Sequence, residues 1–375
     1  MHGIYIHIPF CAQKCSYCDF LSFPGAHTAA KARYQRALEA ELRLRVRGRW
    51  QKPETIFIGG GTPTTLSAGE LASLMAAIDD CVDLSAVEEF TVEANPGTVD
   101  AEKLAILRAG GVNRISFGVQ SFDDDLLRML GRLHTAREAE EAVAFARAAG
   151  FENINLDLMY GLPGQTAAQW RATVDRALAL HPEHLSLYQL IPEPGTAIVR
   201  RMAEGQLPAV DEDGAADWFD AQRGWLAAAG YEQYEISNYA QPGRASLHNQ
   251  LYWHLDDYLG LGLGATGWTR PTRATNTDDF AAYCAALENG ARPDQTTETL
   301  DRAAQMSESV FMALRMNAGL DRARFRTLYG QDVAEIFPAA IDEGIARGWL
   351  NLDDDRLALT DAGRRLGNWV FELFL

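Results

Sequence analysis

Six short runs of β-branched and aromatic residues alternate with helical patterns through the first half of the chain. The runs are Tyr5–Ile8, Thr55–Ile58, Phe90–Glu93, Arg114–Val119, Ile154–Met159 and Leu185–Leu190. Between them lie amphipathic stretches: Ala29–Arg47, Ala68–Cys81, Ala101–Ala109, Arg137–Ala149 and Ala167–Leu180. Strands alternating with helices predict an α/β fold with a parallel sheet, whose chemistry gathers at the carboxyl ends of the strands. Six units are two short of a closed eight-fold barrel, so the pattern predicts an incomplete (β/α)6, TIM-like barrel, for which an open form fits as well as a closed one.

The chain has 375 residues, more than such a barrel uses. We assign residues 1–200 to the barrel and 201–300 to an aromatic-rich connecting region that completes its side. Residues 301–375 read as a small winged-helix-like α+β domain. Its helical patterns are Ser307–Met316, Asp321–Tyr329 and Val333–Arg347, and its hairpin has an acidic turn, Asp353-Asp354-Asp355. A hydrophobic fraction of 47% excludes disorder. The net charge of −17 repels phosphate backbones and anionic lipid, so we expect no nucleic-acid partner and a protein partner for the winged module. No window supplies about 18 uninterrupted apolar residues, and the first residues read as a strand, not a signal peptide. Both point to a cytoplasmic chain without membrane insertion.

Three of the five cysteines, Cys11, Cys15 and Cys18, fall within eight residues, directly after the first strand. Cys81 and Cys284 stand in apolar helical surroundings and read as small buried hydrophobes. Three thiolates from one loop can hold an iron–sulfur cluster with one iron left open. The alternative is zinc, completed by His7 or an aspartate, although structural zinc usually shows paired C-x-x-C halves, which favours the cluster. Other strand ends are polar or glycine-rich: Gly59-Gly60-Gly61-Thr62-Pro63, Glu93-Ala94-Asn95-Pro96, and Asp157 before Tyr160-Gly161. Asp157 sits inside an apolar run, where an unpaired charge is costly, so it reads as paired or functional.

The opening Tyr5-Ile-His-Ile-Pro-Phe-Cys11-x3-Cys15-x2-Cys18, with Gly-Gly-Gly-Thr-Pro at the second strand end, resembles radical S-adenosylmethionine (SAM) enzymes. Within them it is most similar to the coproporphyrinogen dehydrogenase-like group, over essentially the whole chain. The resemblance implies a [4Fe–4S] cluster on Cys11, Cys15 and Cys18, with SAM on the fourth iron. It also implies that Gly60, Gly61 and Thr62 clasp SAM by their backbone edge and that Glu93 accepts hydrogen bonds from it. Tyr5, Tyr17, Gln120, Arg132, Asp157 and Ile191 match positions around SAM, although Arg132 reads equally as a helix C-terminal cap.

The dehydrogenase branch has a further cysteine two residues past the third ligand and a longer N-terminal segment. Here position 20 is Phe20, and ten residues precede Cys11. Both departures match the haem-chaperone branch. That branch implies haem as cargo and haem-accepting proteins as partners. The segment His248-Asn249-Gln250-Leu251-Tyr252-Trp253 resembles its HNxxYW motif, in which His248 is the candidate axial ligand to haem. His248 alone reads as a hydrogen-bonded structural histidine. The alternative is a radical SAM enzyme proper, acting on coproporphyrinogen III or on another substrate. The Gly-rich segment from Asp257 to Ala265 reads as a buried strand or as a closure of the barrel mouth.

Overall fold

A computed structural model describes the chain from Met1 to Leu375, the Arg49 side chain excepted. The six expected strands form as β1 (His2–Ile8), β2 (Thr55–Gly60), β3 (Glu89–Ala94), β4 (Arg114–Gln120), β5 (Ile154–Tyr160) and β6 (His184–Gln189). Each pairs in parallel with the next. They occupy the middle of a twelve-stranded sheet. Past β6 come two short antiparallel strands, β7 (Glu232–Gln233) and β8 (Asn238–Ala240), with β8 against β6. Past β1 lies β9 (Asp257–Leu261), which runs parallel to it and makes a seventh parallel strand. Antiparallel β10 (Thr266–Thr269), β11 (Thr272–Asn276) and β12 (Asp294–Thr299) continue the sheet to its edge. The edge strands β12 and β7 do not pair with each other, so the barrel is open.

Local chemistry explains the crossovers. The helices Ala68–Asp79, Ala136–Ala148 and Ala167–Ala179 each start on a capping box, formed by Ser67 with Glu70, Thr135 with Glu138, and Thr166 with Gln169. Each box satisfies two backbone donors that a helix start otherwise leaves open. Side chains alternate across the strands. Ile4, Ile6, Ile8, Ile56, Ile58, Val92, Ile115, Phe117, Leu156 and Leu158 enter one apolar core with the helices. Among the alternate positions, which point into the barrel, Thr91, Arg114, Ser116, Asn155, His184 and Ser186 are polar and buried. Cys284 is fully buried, and Cys81 is half-buried against the same core.

Residues from Met306 onward form a second core around Leu314, Phe325, Val333, Leu357 and Val370. Three short strands, β13 (Leu320–Asp321), β14 (Leu350–Leu352) and β15 (Arg356–Leu359), make its antiparallel sheet, with the acidic turn at its tip. The helix expected over Val333–Arg347 is in fact two, Val333–Ile336 and Pro338–Ala346. Pro338 has no N–H to continue the ladder and pushes the preceding residue out of the helical region; Phe337 accordingly sits at φ −120°, ψ 45°. The two cores are joined by an isolated bridge between Glu235 and Met316 and by Arg223 donating to Asp361 at 2.8 Å.

Candidate metal centre and ligand pocket

β1 ends at Ile8, and the loop that follows carries the three cysteines over the carboxyl end of the sheet. The segment Met129–Gly131 clamps this loop. Ser16 donates its N–H to Leu130 O at 2.9 Å and its hydroxyl to Met129 O at 3.1 Å, while Gln13 donates to Gly131 O at 3.1 Å. On the other side, Ile198 N donates to Ser16 O at 2.7 Å. Cys11, Cys15 and Cys18 thereby open into one cleft, together with Tyr17, Gly60, Gly61, Thr62, Glu93, Gln120, Arg132 and Asp157. With its open mouth included, the cleft encloses about 1090 Å³, room for a ligand of drug size or larger.

Eleven residues picked out from the sequence are therefore brought together here, and three are not. Tyr5 gives its hydroxyl to a 2.9 Å hydrogen bond with His7 Nδ1 and is close enough to feel the charge of Glu93, but it does not line the cleft. Ile191, beyond β6, is 68% exposed and also lies outside the lining.

His248 belongs to the other end of the molecule. It stands beside Gly3 and Thr55, at the amino ends of β1 and β2, where a Cβ on Gly3 would come within 3.1 Å of its Nδ1. Its side chain is fully buried, with Nδ1 2.7 Å from Thr55 Oγ1, Nε2 3.0 Å from the Tyr252 hydroxyl and the ring stacked on Phe57. Burial pushes its pKa down to about 3. Both ring nitrogens are engaged, so the geometry gives no support to the expected haem ligation by this histidine. Glu89 fixes the helix Leu247–Trp253 in that position. Its carboxylate accepts from Leu247 N at 2.8 Å, His248 N at 3.0 Å and Ser246 Oγ at 3.1 Å.

The glycine triplet also has a different reason from the one its sequence suggests. A Cβ on Gly59 would lie 2.7 Å from the Glu93 carboxylate, one on Gly60 2.4 Å from the His7 ring, and one on Gly61 2.7 Å from Phe10 O. Gly60 is moreover at φ +110°, which other residues rarely adopt. The protein's own packing thus demands these glycines. Their edge faces the cleft as a result.

The carboxylates of the cleft lack strong cationic partners. Glu93 accepts from Gly60 N at 3.0 Å, and burial, with Asp157 nearby, pushes its pKa up to about 8. Asp157 accepts from Ser116 Oγ at 3.0 Å and Asn155 Nδ2 at 2.8 Å, yet burial still raises its pKa. Ser116 and Asn155 were not singled out from the sequence. Asn155 shares a strand face with Asp157, two residues away, which is the signal that could have found it. Two carboxyls whose charged forms burial disfavours make the cleft receptive to a cationic ligand. Arg132, a cation of the cleft wall, donates to Cys15 Sγ at 3.4 Å and to Gly118 O, and its buried Nε has no partner. That arrangement makes it part of the cleft wall and not a helix cap.

The donor set fits an iron–sulfur cluster better than zinc. Among the described residues, no three His, Cys, Asp or Glu side chains converge tightly enough for a single ion. The nitrogens of His7 are taken by the Tyr5 hydroxyl and by Leu21 O at 3.1 Å. A cubane spreads its thiolate ligands around a larger body than one ion. Burial pushes the Cys11 and Cys18 thiols up, so they wait protonated for a metal that displaces the proton.

Comparison with known proteins identifies the family. The Radical SAM superfamily pattern matches residues 5–177, and that of the HemN C-terminal domain matches residues 300–366. The heme chaperone HemW of Bacillus subtilis is 40% identical, over 100% of this chain and 99% of its own length. The Escherichia coli protein of the same name is 37% identical, over 100% and 98%. Among solved structures, coproporphyrinogen III oxidase (HemN) from Escherichia coli, described as a radical SAM enzyme, superposes with a TM-score of 0.87. That match is 24% identical and covers 100% of this chain and 89% of that one, a likeness of fold.

Proposed function

Since this chain belongs to the radical SAM superfamily and, within it, to the family of the HemW heme chaperones, we propose that it binds haem and passes it to acceptor proteins in the cytoplasm. It carries a [4Fe–4S] cluster with SAM beside that role. One observation supports the cluster reading above the rest: three cysteine thiols on one clamped loop share a cleft with two cation-seeking carboxyls and one arginine.

Cys11, Cys15 and Cys18 are the cluster ligands. When bound, the cluster and SAM together supply one-electron reductive chemistry. Gly60, Gly61 and Thr62 present their backbone edge to the amino-acid part of SAM; their N–H groups are already given to Glu93, Ile8 O and Phe10 O, so carbonyl oxygens are what the edge has to offer. Glu93 would accept from its amino group, and the SAM cation beside it would favour the carboxylate over the protonated acid. Arg132 balances the charge of the Cys15 thiolate. Tyr17, Gln120 and Asp157 line the remainder of the cleft. Gln120 sits at φ +68° on a bulge in the pairing of β4 with β5, a strained geometry that aims its side chain into the cleft. Phe20, where the dehydrogenase branch has a cysteine, is 64% exposed at the mouth. It offers an apolar surface and no thiol.

The chaperone reading is tested on the anoxically reconstituted full chain. Haem titration is expected to give a saturable Soret band. Incubation with reductant, SAM and coproporphyrinogen III is expected to leave the porphyrinogen unchanged. Protoporphyrinogen formed at many turnovers per chain would replace this reading with that of a dehydrogenase.

A further inference from the structure

Two strand positions beneath the SAM cleft carry polar side chains that do not line it. Asn155 on β5 and His184 on β6 are cross-strand partners in register, and both are fully buried inside the barrel. On its other side Asn155 is in register with Ser116 of β4. Alternation along β5 puts Asn155 on the same face as Asp157, two residues nearer the amino end.

These groups join into one hydrogen-bonded row, and its acceptors fix its direction. The Tyr234 hydroxyl accepts from Ser246 N at 3.3 Å and has its own proton to give to His184 Nε2, 2.9 Å away. The Asn155 carbonyl oxygen can only accept, so His184 Nδ1, 2.6 Å from it, carries the ring proton. Burial, with Arg114 nearby, keeps that ring neutral, which leaves Nε2 as the acceptor. Ser186 Oγ donates to the same Asn155 oxygen at 3.1 Å. The amide nitrogen of Asn155 then donates twice, to Asp157 Oδ1 at 2.8 Å and to Ser116 Oγ at 2.7 Å. Ser116 gives its own proton to Asp157 Oδ2 at 3.0 Å. From Ser246 to Asp157 every donor points the same way. Donors aligned in a row strengthen one another, and the effect falls on the acceptor at the end. That acceptor is a carboxyl of the cleft.

We propose that His184, backed by Tyr234, is a positioning residue for the cleft: it locks the Asn155 amide with its nitrogen toward Asp157, so that Asp157 meets a cationic ligand as an oriented carboxylate. The proposal rests on the SAM reading and names what prepares one of its contacts. A carboxamide has nearly the same shape either way round, so packing alone does not choose its orientation. Turned over, the amide would set its oxygen 2.8 Å from the carboxylate, acceptor against acceptor. The donors on the far side, His184 and Ser186, make the choice. Arg114, itself buried with Nε unpartnered, also favours the charged form of Asp157. Burial works against all of these, so the carboxylate depends on its donors.

The experiment measures the affinity of labelled SAM by equilibrium dialysis on the anoxically reconstituted full chain, with iron and sulfide content reporting the fold of each variant. His184→Leu is expected to weaken binding about fivefold, and Tyr234→Phe about twofold. His184→Asn keeps a donor close to the Nδ1 position and should recover most of the loss. Asp157→Asn is expected to cost about tenfold. The deciding comparison is the double variant. Because His184 acts through Asp157, His184→Leu should have no further effect once Asp157 is replaced by Asn. An equal loss in both backgrounds would overturn the proposal, as would unchanged affinity in His184→Leu. If the leucine variant does not hold its cluster, nitrogen-15 spectra of the unaltered chain, labelled at histidine, decide. They should show His184 as the Nδ1–H tautomer, its proton moving downfield when SAM is added. The other tautomer, or a resonance that SAM does not move, would overturn the proposal. Failure of SAM to bind the unaltered chain would end the SAM reading itself, whereas each of the other negative results leaves that reading standing.

Discussion

The two ends of the parallel sheet use the same kinds of side chain to opposite effect. At the amino end, Glu89 accepts three hydrogen bonds and both nitrogens of His248 are engaged. At the carboxyl end, Glu93 has one backbone donor and holds a proton up to about pH 8, and Arg132 Nε has no partner. A saturated set of polar groups fixes structure, while an unsaturated one is poised for a ligand. Between Glu89 and Glu93 the difference lies in occupancy of donors and acceptors, not in residue type.

The largest effect separating the ends is expected from the cysteines. Replacing Cys11, Cys15 and Cys18 with alanine abolishes bound iron and sulfide while the thermal unfolding midpoint of the metal-free chain changes little. A cluster retained on the triple variant would remove the carboxyl end's claim to the metal. The next is Glu89→Gln at the amino end. An amide presents one acceptor oxygen where the carboxylate presents two, so buried donors are stranded, and unfolding in denaturant should show a loss of about 3 kcal/mol. Iron content per folded chain stays the same. Equal stability would mean that the amino end is not held as tightly as its hydrogen bonds suggest.

The smallest effect is a pH dependence at Glu93. Its pKa is raised from 4.5 to about 8 by burial and by Asp157, and SAM's ammonium needs the carboxylate. Below that value, binding must displace a proton, so affinity falls as pH falls, by up to tenfold per unit. Above about 8 it levels off. Anoxic equilibrium dialysis of labelled SAM between pH 6 and 8.5 measures this, and Glu93→Gln should flatten the profile. A profile equally steep in the variant would place the titrating group elsewhere.

Local patterns made much of this legible. The six strands and the cysteine loop are written in consecutive residues, so spacing alone reaches them. Features made by distant pairing were not legible. The segment at Asp257 read as a strand, but nothing local says that it pairs in parallel with β1. His248 lies in a motif that resembles a haem ligand, and its contact with Thr55, far away in sequence, could not be read locally. The break at Pro338 was visible in the sequence, and the apolar periodicity running through it hid the stop.

The position of β1 sets the order in which the site can be built. β1 leaves the ribosome before both of its neighbours and finishes between β2 and β9, with Gly3 in register with Tyr258. Until the later strand has been synthesised, one edge of β1 has no neighbour, so the loop that bears the cysteines grows from a strand anchored on one side only. Long-range pairings of this kind form late and slowly. Cluster insertion into a nascent chain should therefore wait for most of the polypeptide, and truncations ending before Asp257 should emerge without a stable metal centre.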